Sequence, residues 1–288
     1  MTTLQEYLNQ KYPSQEDKEK VEVINTYRDI SNSKRNKLKE GNLDLSEYPN
    51  LTKLEIDGSE LSEKLTNLNL GPKPKLREFY CPNNHLSNLD LTNCPVLEKL
   101  DCSNNQLTEL DISQLKKLTT LDCGSNQLRE LDALKCPNLK VFKCSNNFLN
   151  NLDLNKNGKL EILDISDNDF TEQDLKRIQE EVYNRFAGSL EPLKNMAKLK
   201  NIRFSNTDLS EGLEYLTNNL ERLECSANER ENAKTKILAQ KLTKFGEPNN
   251  LGNFVHLLRI WKEFNECKRK NDRLNKGKTR EEITNLDL

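Results

Sequence analysis

The sequence predicts an α/β solenoid with a parallel sheet on one side, short turns on the other and helical caps. Three observations carry that prediction. Five successive copies of one leucine-led motif, opening at Leu76, Leu97, Leu118, Leu139 and Leu160, are spaced by 21 residues, and a fixed period of that length marks stacked supersecondary units. Within each copy apolar and polar residues alternate as in a strand with one buried face. The composition, 34% hydrophobic and 31% charged over 288 residues, is lean for a globule but suits a thin core shared between neighbouring units.

Aligned on the opening leucine, the copies read LTKLEIDGSEL from Leu51, LREFYCPNNHL from Leu76, LEKLDCSNNQL from Leu97, LTTLDCGSNQL from Leu118 and LKVFKCSNNFL from Leu139. LEILDISDNDF from Leu160, LKNIRFSNTDL from Leu199 and LERLECSANER from Leu220 complete the set. Each fits or nearly fits L-x-x-L-x-L-x-x-N-x-L, departing at the ninth position with Ser59 and Thr207. Strand alternation sends the fourth and sixth positions inward and the third and fifth outward. The asparagines at Asn84, Asn105, Asn126, Asn147, Asn168 and Asn228 are expected to stack, their amides serving backbone groups that a tight turn leaves unpaired.

The second half of each unit, such as LDLTNCPV after Asn88 and LDALKCPN after Glu130, supplies the convex side. Proline after Cys94 and Cys136 blocks helix continuation, so short extended or 3₁₀-like turns are expected there. Cys81, Cys102, Cys123, Cys144 and Cys225 all take the inward sixth position, where a free thiol packs as a small hydrophobe. That register strings the sulfurs along the solenoid instead of converging them on a zinc ion. Cys267 lies outside the row.

These residues resemble the leucine-rich-repeat superfamily over about residues 43–228, so the predicted class becomes a leucine-rich-repeat horseshoe. The phrasing CSNNQL with LDLTNCPV is similar to a cysteine-bearing variant of the repeat found in large fungal and bacterial families. GSLEPLKNMAKLKNIRFSNTDLSEGLEYL also resembles repeat proteins of mycorrhizal fungi, some of which join such arrays to protein kinase domains. The resemblance implies fold more than function, because members bind very different partners.

Three stretches fall outside the period. Residues 1–42 read as an N-terminal helical cap, with Leu4, Tyr7 and Leu8 on one face and a charged helical stretch to about Ile30. Between Leu160 and Leu199 the spacing widens to 39. TEQDLKRIQEEVYNRFAG there predicts a helical insertion near 171–188, with Leu175, Ile178, Val182 and Phe186 on one face. Residues 229–288 read as a helical C-terminal cap or module with a basic tail, its apolar spacing running through Leu238, Leu242, Phe245, Phe254, Leu257, Leu258, Trp261 and Phe264. A smaller bulge containing GPKPK precedes Leu76.

Catalytic chemistry finds no support in the motifs: there is no phosphate loop, nucleophile elbow or metal-binding histidine pair, and the histidines are only His85 and His256. A calcium loop over DISDNDFTEQDL fails where Asp169 replaces the required glycine and Leu175 the bidentate glutamate. The expectation is no enzyme, no cofactor and no metal. With no basic leader, no apolar run near the ~20 residues of a membrane span and a net charge of −2, the chain is expected to be a cytoplasmic monomer, with no membrane partner.

The expected function is binding of another protein on the concave face. The outward positions named for it are Glu78, Tyr80, Lys99, Asp101, Thr120, Asp122, Val141, Lys143, Ile162, Asp164, Arg203 and Arg222. Tyr80, Val141 and Ile162 exceed what solubility requires, and apolar groups ringed by charge have the composition of an interface. Asp101 and Asp122, side by side, would suit a basic partner. The alternative is a regulatory or targeting module of a larger signalling protein such as a leucine-rich-repeat kinase. From Glu229 onward 14 basic residues stand against 9 acidic ones, leaving nucleic-acid contact through Lys268, Arg269, Lys270 and Arg273 as the least favoured reading.

Overall fold

The computed structural model describes residues 3–26, 41–60, 64–167, 184, 186–227, 233–249 and 253–274. Helix α1 (Leu4–Lys11) opens the chain in a capping box between Thr3 and Glu6 and buries Leu4 and Leu8. A short α2 (Gln15–Glu19) follows. The charged helix expected to run to about Ile30 stops here, because Val23–Asn25 instead forms strand β1 and pairs with the first repeat. Residues 27–30 lie outside the described ones.

Every repeat places its third to fifth positions in a three-residue strand: β3 (Lys53–Glu55), β5 (Glu78–Tyr80), β6 (Lys99–Asp101), β7 (Thr120–Asp122), β8 (Val141–Lys143), β9 (Ile162–Asp164), β11 (Asn201–Arg203) and β13 (Arg222–Glu224). With β1 they form one parallel sheet, in the order β1-β3-β5-β6-β7-β8-β9-β11-β13 among the described residues. The register is in phase throughout, so Thr120, Val141, Ile162 and Asn201 stand in one row. The chain is thus a solenoid of about eight turns with helices at its ends. Two short parallel ladders flank the sheet, β2 (Asn42–Asp44) with β4 (Asn67–Asn69) and β10 (Ala187–Ser189) with β12 (Asp208–Glu211). The expected helical insertion near 171–188 lies largely outside the described residues; its last residues are strand, because β12 supplies them with partners.

The core is the row of fourth positions, from Leu54 and Phe79 to Ile202 and Leu223, stacked on the sixth positions and the opening leucines, all buried. Short 3₁₀ turns such as Ala133–Lys135 and Leu213–Tyr215 fall in the second halves of their units. The bulged unit before Leu76 puts Lys73 where its neighbours have Tyr48 and Cys94. Its buried ammonium donates to the carbonyls of Leu45 (2.9 Å), Leu70 and Pro72. Burial pulls its pKa down to about 8.

The asparagine side chains join successive units. The Asn105 Oδ1 accepts the Leu86 N–H at 3.0 Å, and its Nδ2 donates to the carbonyls of Cys81 and Cys102 at 3.0 and 3.1 Å. One amide therefore satisfies buried backbone of its own turn and of the unit before. Asn84, Asn126 and Asn147 repeat this geometry. In the enlarged unit the rung is Asn184, which accepts from Leu149 N–H and donates to Cys144 C=O, both at 3.0 Å. Asn168 and Asn228 lie outside the described residues. At Thr207 a hydroxyl does part of this work, donating to Phe204 C=O at 2.8 Å.

The position before each of Asn84, Asn105, Asn126 and Asn147 is left-handed, with φ of 60° at Asn83, 54° at Asn104, 54° at Ser125 and 53° at Asn146. Asparagine tolerates that conformation better than other side chains with a Cβ, which accounts for the Asn-Asn pairs. Ser125 is the exception in this run. Beyond β13 the sheet edge is closed by Asn253, whose Oδ1 accepts from Leu223 N–H and whose Nδ2 donates to Glu221 C=O, while Phe254 N–H reaches Leu223 C=O. Helix α3 (Thr235–Thr243) packs on β12 and on helix α4 (Val255–Leu274).

Replacing Ser125 with asparagine should raise stability by about 0.5–1 kcal/mol, because the new residue tolerates the left-handed turn better. Asn104→Val should lower it by about 1–2 kcal/mol. Urea denaturation of the three proteins reads both changes, and equal midpoints would contradict the account.

Candidate binding surface

The outward positions of the sheet form two parallel rows about 4.8 Å apart per strand. The fifth-position row runs Glu55, Tyr80, Asp101, Asp122, Lys143, Asp164, Arg203, Glu224. Most of its charges are already paired. Lys143 Nζ meets Asp122 at 3.0 Å, and Arg203 bridges Asp164 at 3.1 Å and Glu224 at 2.7 Å. Arg222 also reaches Glu224.

Asp164 is buried, unlike its neighbours in the row, and so differs from the outward-facing residue expected there. Its Oδ1 accepts from the N–H and hydroxyl of Ser166, which holds the turn after the strand. Asp101 does the same with Ser103, at 3.0 and 2.6 Å, and Asp122 with Gly124 N–H at 3.2 Å. These aspartates are therefore turn caps as well as surface charges. Burial, with a contribution from Asp122, raises the pKa of Asp101 despite its hydrogen bonds to Ser103.

The third-position row divides in two. Lys53, Glu78 and Lys99 form a charged run, with Glu78 linked to Lys99 at 2.8 Å and to Lys53 at 3.6 Å. The Lys53 ammonium lies 5.3 Å from the Tyr80 ring centroid. The hydrogen bond from Lys99 holds the Glu78 carboxyl below its ordinary range. From Thr120 the charges stop: Thr120, Val141, Ile162 and Asn201 are uncharged and half-buried across four adjacent strands, before Arg222 resumes the charge. The two halves are on one continuous sheet.

A concavity of about 940 Å³ lies on the flank where the repeats' second halves stack, and includes Asp90, Asp111, Asp132 and Asp153. None of these four was among the candidate residues expected from the sequence, although the recurring Leu-Asp at 89–90, 110–111, 131–132 and 152–153 carries the signal. Each Oδ1 accepts a backbone N–H two residues on, from Thr92, Ser113, Leu134 and Asn155. Their spacing follows from the turns they hold.

The cysteines divide as the register requires. Cys81, Cys102, Cys123, Cys144 and Cys225 are buried, and desolvation drives their thiols far above the ordinary range. Cys94 and Cys136 are pushed up to about 11, and Cys267 is exposed. Nucleophilic reaction requires thiolate and access.

A family model described as leucine-rich repeats in two copies matches residues 74–114 and 95–136. Internalin C2 of Listeria monocytogenes str. 4b F2365 is 19% identical, with a TM-score of 0.52 over 68% of this chain and 76% of that one. An internalin, InlF, of the same strain is 17% identical, with a TM-score of 0.45 over 58% of this chain and 45% of that one. The functional domain of InlJ from Listeria monocytogenes, described as including a cysteine ladder, is 22% identical, with a TM-score of 0.42 over 72% and 54%. The chain spans about half the length of these last two. No curated protein matches it. At such identities the likeness is one of fold, and the fungal resemblance read from the sequence gains nothing from these bacterial structures.

Two outcomes follow. The raised Asp101 pKa means that the folded state binds this proton more tightly than the unfolded state. Its ionised carboxylate therefore costs stability above the folded pKa, and the cost vanishes below the unfolded one. Asp101→Asn keeps the Oδ1 acceptor and should stabilise the protein at neutral pH, with no gain at pH about 3. Parallel urea titrations at both pH values check the sign. In a thiol-reagent assay on native protein, Cys267 alone of the eight cysteines should react within minutes, and Cys267→Ser should abolish the reaction.

Proposed function

We propose that this chain, a member of the leucine-rich-repeat superfamily by its repeat and its solenoid, is a scaffold that binds another protein on the outward face of its long sheet. Its fold is typical of protein–protein interaction modules. The observation that carries the reading is the uncharged row Thr120, Val141, Ile162 and Asn201, in register on four strands beside ion pairs already satisfied within the protein. Covering that row spans three strand steps, about 14 Å, and removes apolar surface from water without breaking a buried charge pair. Tyr80 and the charged run Lys53, Glu78 and Lys99 would form the polar rim, where charge sets orientation and on-rate more than affinity. Among the described residues no helix is long and apolar enough to cross a membrane.

Val141→Asp with Ile162→Lys tests this reading, because both side chains are half-buried on the sheet face and stand outside the buried core. In affinity capture from native extract, partners held by the wild type should fall by tenfold or more with the double variant, as expected for central contacts worth about 1–2 kcal/mol each. Lys117→Glu, exposed and outside the sheet, should leave them unchanged. The same partners at the same level on all three proteins would contradict the proposal.

A further inference from the structure

Helix α4 buries less than its apolar spacing promises. Leu257 and Leu258 are buried and Trp261 is partly covered against the array, but Ile260 is 43% exposed and Phe264 55%. Phe264 meets Phe245 in a tilted ring contact, at 5.5 Å between ring centroids. With 3.6 residues per turn, Ile260, Phe264 and Cys267 fall within about 60° of one another. They form a stripe beside the buried face rather than on it. Single exposed apolar residues are ordinary, but a stripe at i, i+4, i+7 is the spacing of a helix-pairing seam.

The charges beside the stripe point to its cover. Glu263 and Lys270 lie on the same flank, two turns apart, and both are exposed. When two copies of one helix pack antiparallel about a two-fold axis, same-flank positions face each other across the seam. A pairing that sets Phe264 against Cys267 of the other copy brings Glu263 opposite Lys270 twice. Lys270 now pairs with Glu266 at 2.9 Å, an exposed i,i+4 contact of the kind that is readily exchanged. Arg259 and Lys262 are committed to backbone carbonyls of Leu220 and Leu216. A parallel pairing is disfavoured by the fold: the first turn of α4 is buried in the array, and helices 8–10 Å apart would bring two arrays into the same space.

We propose that α4 is a self-association helix, its Ile260–Phe264–Cys267 stripe covered by the antiparallel α4 of a second copy of this chain. A monomer is the expectation from the sequence, and a self-associating α4 departs from it. A seam of a few turns buries less than the roughly 1,200 Å² of a stable interface, so the dimer is weak and reversible.

Light scattering and sedimentation of the full chain, with reductant present to exclude a Cys267 disulfide, test it between about 5 and about 500 μM, the range of a weak complex. The mass should rise from monomer toward dimer. Phe264→Glu should weaken association at least tenfold with the circular dichroism spectrum unchanged. Glu263→Lys and Lys270→Glu should each weaken it, and the double exchange should restore it. A wild type that stays monomeric throughout, a Phe264→Glu variant that associates like the wild type, or a double exchange no better than the single ones would each overturn the proposal. The Val141→Asp, Ile162→Lys variant should associate normally, which separates this result from the fate of the sheet-face reading.

Discussion

The asparagine amide between successive turns is the interaction on which the rest depends. A three-residue strand has too few hydrogen bonds to fix its own position, and the turn after it exposes backbone N–H and C=O groups to a dry core. Each rung, from Asn84 to Asn147, spends one side chain on both problems, satisfying backbone in two adjacent coils. The residue before each of these four rungs is left-handed. In-phase strands follow, and with them the straight rows of outward side chains. Asn184 shows how strong the requirement is: the enlarged unit changes its length and still delivers an amide to Leu149 and Cys144.

That regularity decides what the surface can do. Strand pitch places like positions close together, so acidic and basic residues on adjacent strands neutralise one another, as Asp122 does with Lys143 and Asp164 with Arg203. What remains distinctive is the interruption of this pattern by Thr120, Val141, Ile162 and Asn201. The aspartates that first suggest a docking site for a basic partner are partly occupied by the turns they cap. Cysteine in the sixth position belongs to the same economy of space, since its small side chain fits behind the strand and burial keeps its thiol protonated.

The repeat was legible because its physics is periodic. Leu54, Phe79, Leu100 and their equivalents announce the core by position alone, and the inward cysteines follow from the same alternation. The strand at Val23–Asn25 was hidden by the lysines and glutamates around it, although Val21, Val23 and Ile24 are a β-rich cluster; what makes it a strand is the open edge of β3, which only the assembled sheet offers. Asn184 was missed because the period breaks before it, and a rung is recognised by its partners and not by its spacing. Ion pairing across the sheet was hidden for a related reason: the pairs join residues about 21 or 39 apart in sequence, and the wider separation depends on which strand follows the insertion.

Hydrogen exchange of single amides in Asn147→Ala tests the central claim most directly. The Leu128 N–H donates to Asn147 Oδ1 and the Leu107 N–H to Asn126 Oδ1. Leu128 should lose protection by two orders of magnitude or more, as for a buried donor stripped of about 3 kcal/mol, while Leu107 keeps its own. Unchanged protection at Leu128, or an equal loss at both amides, would contradict that claim.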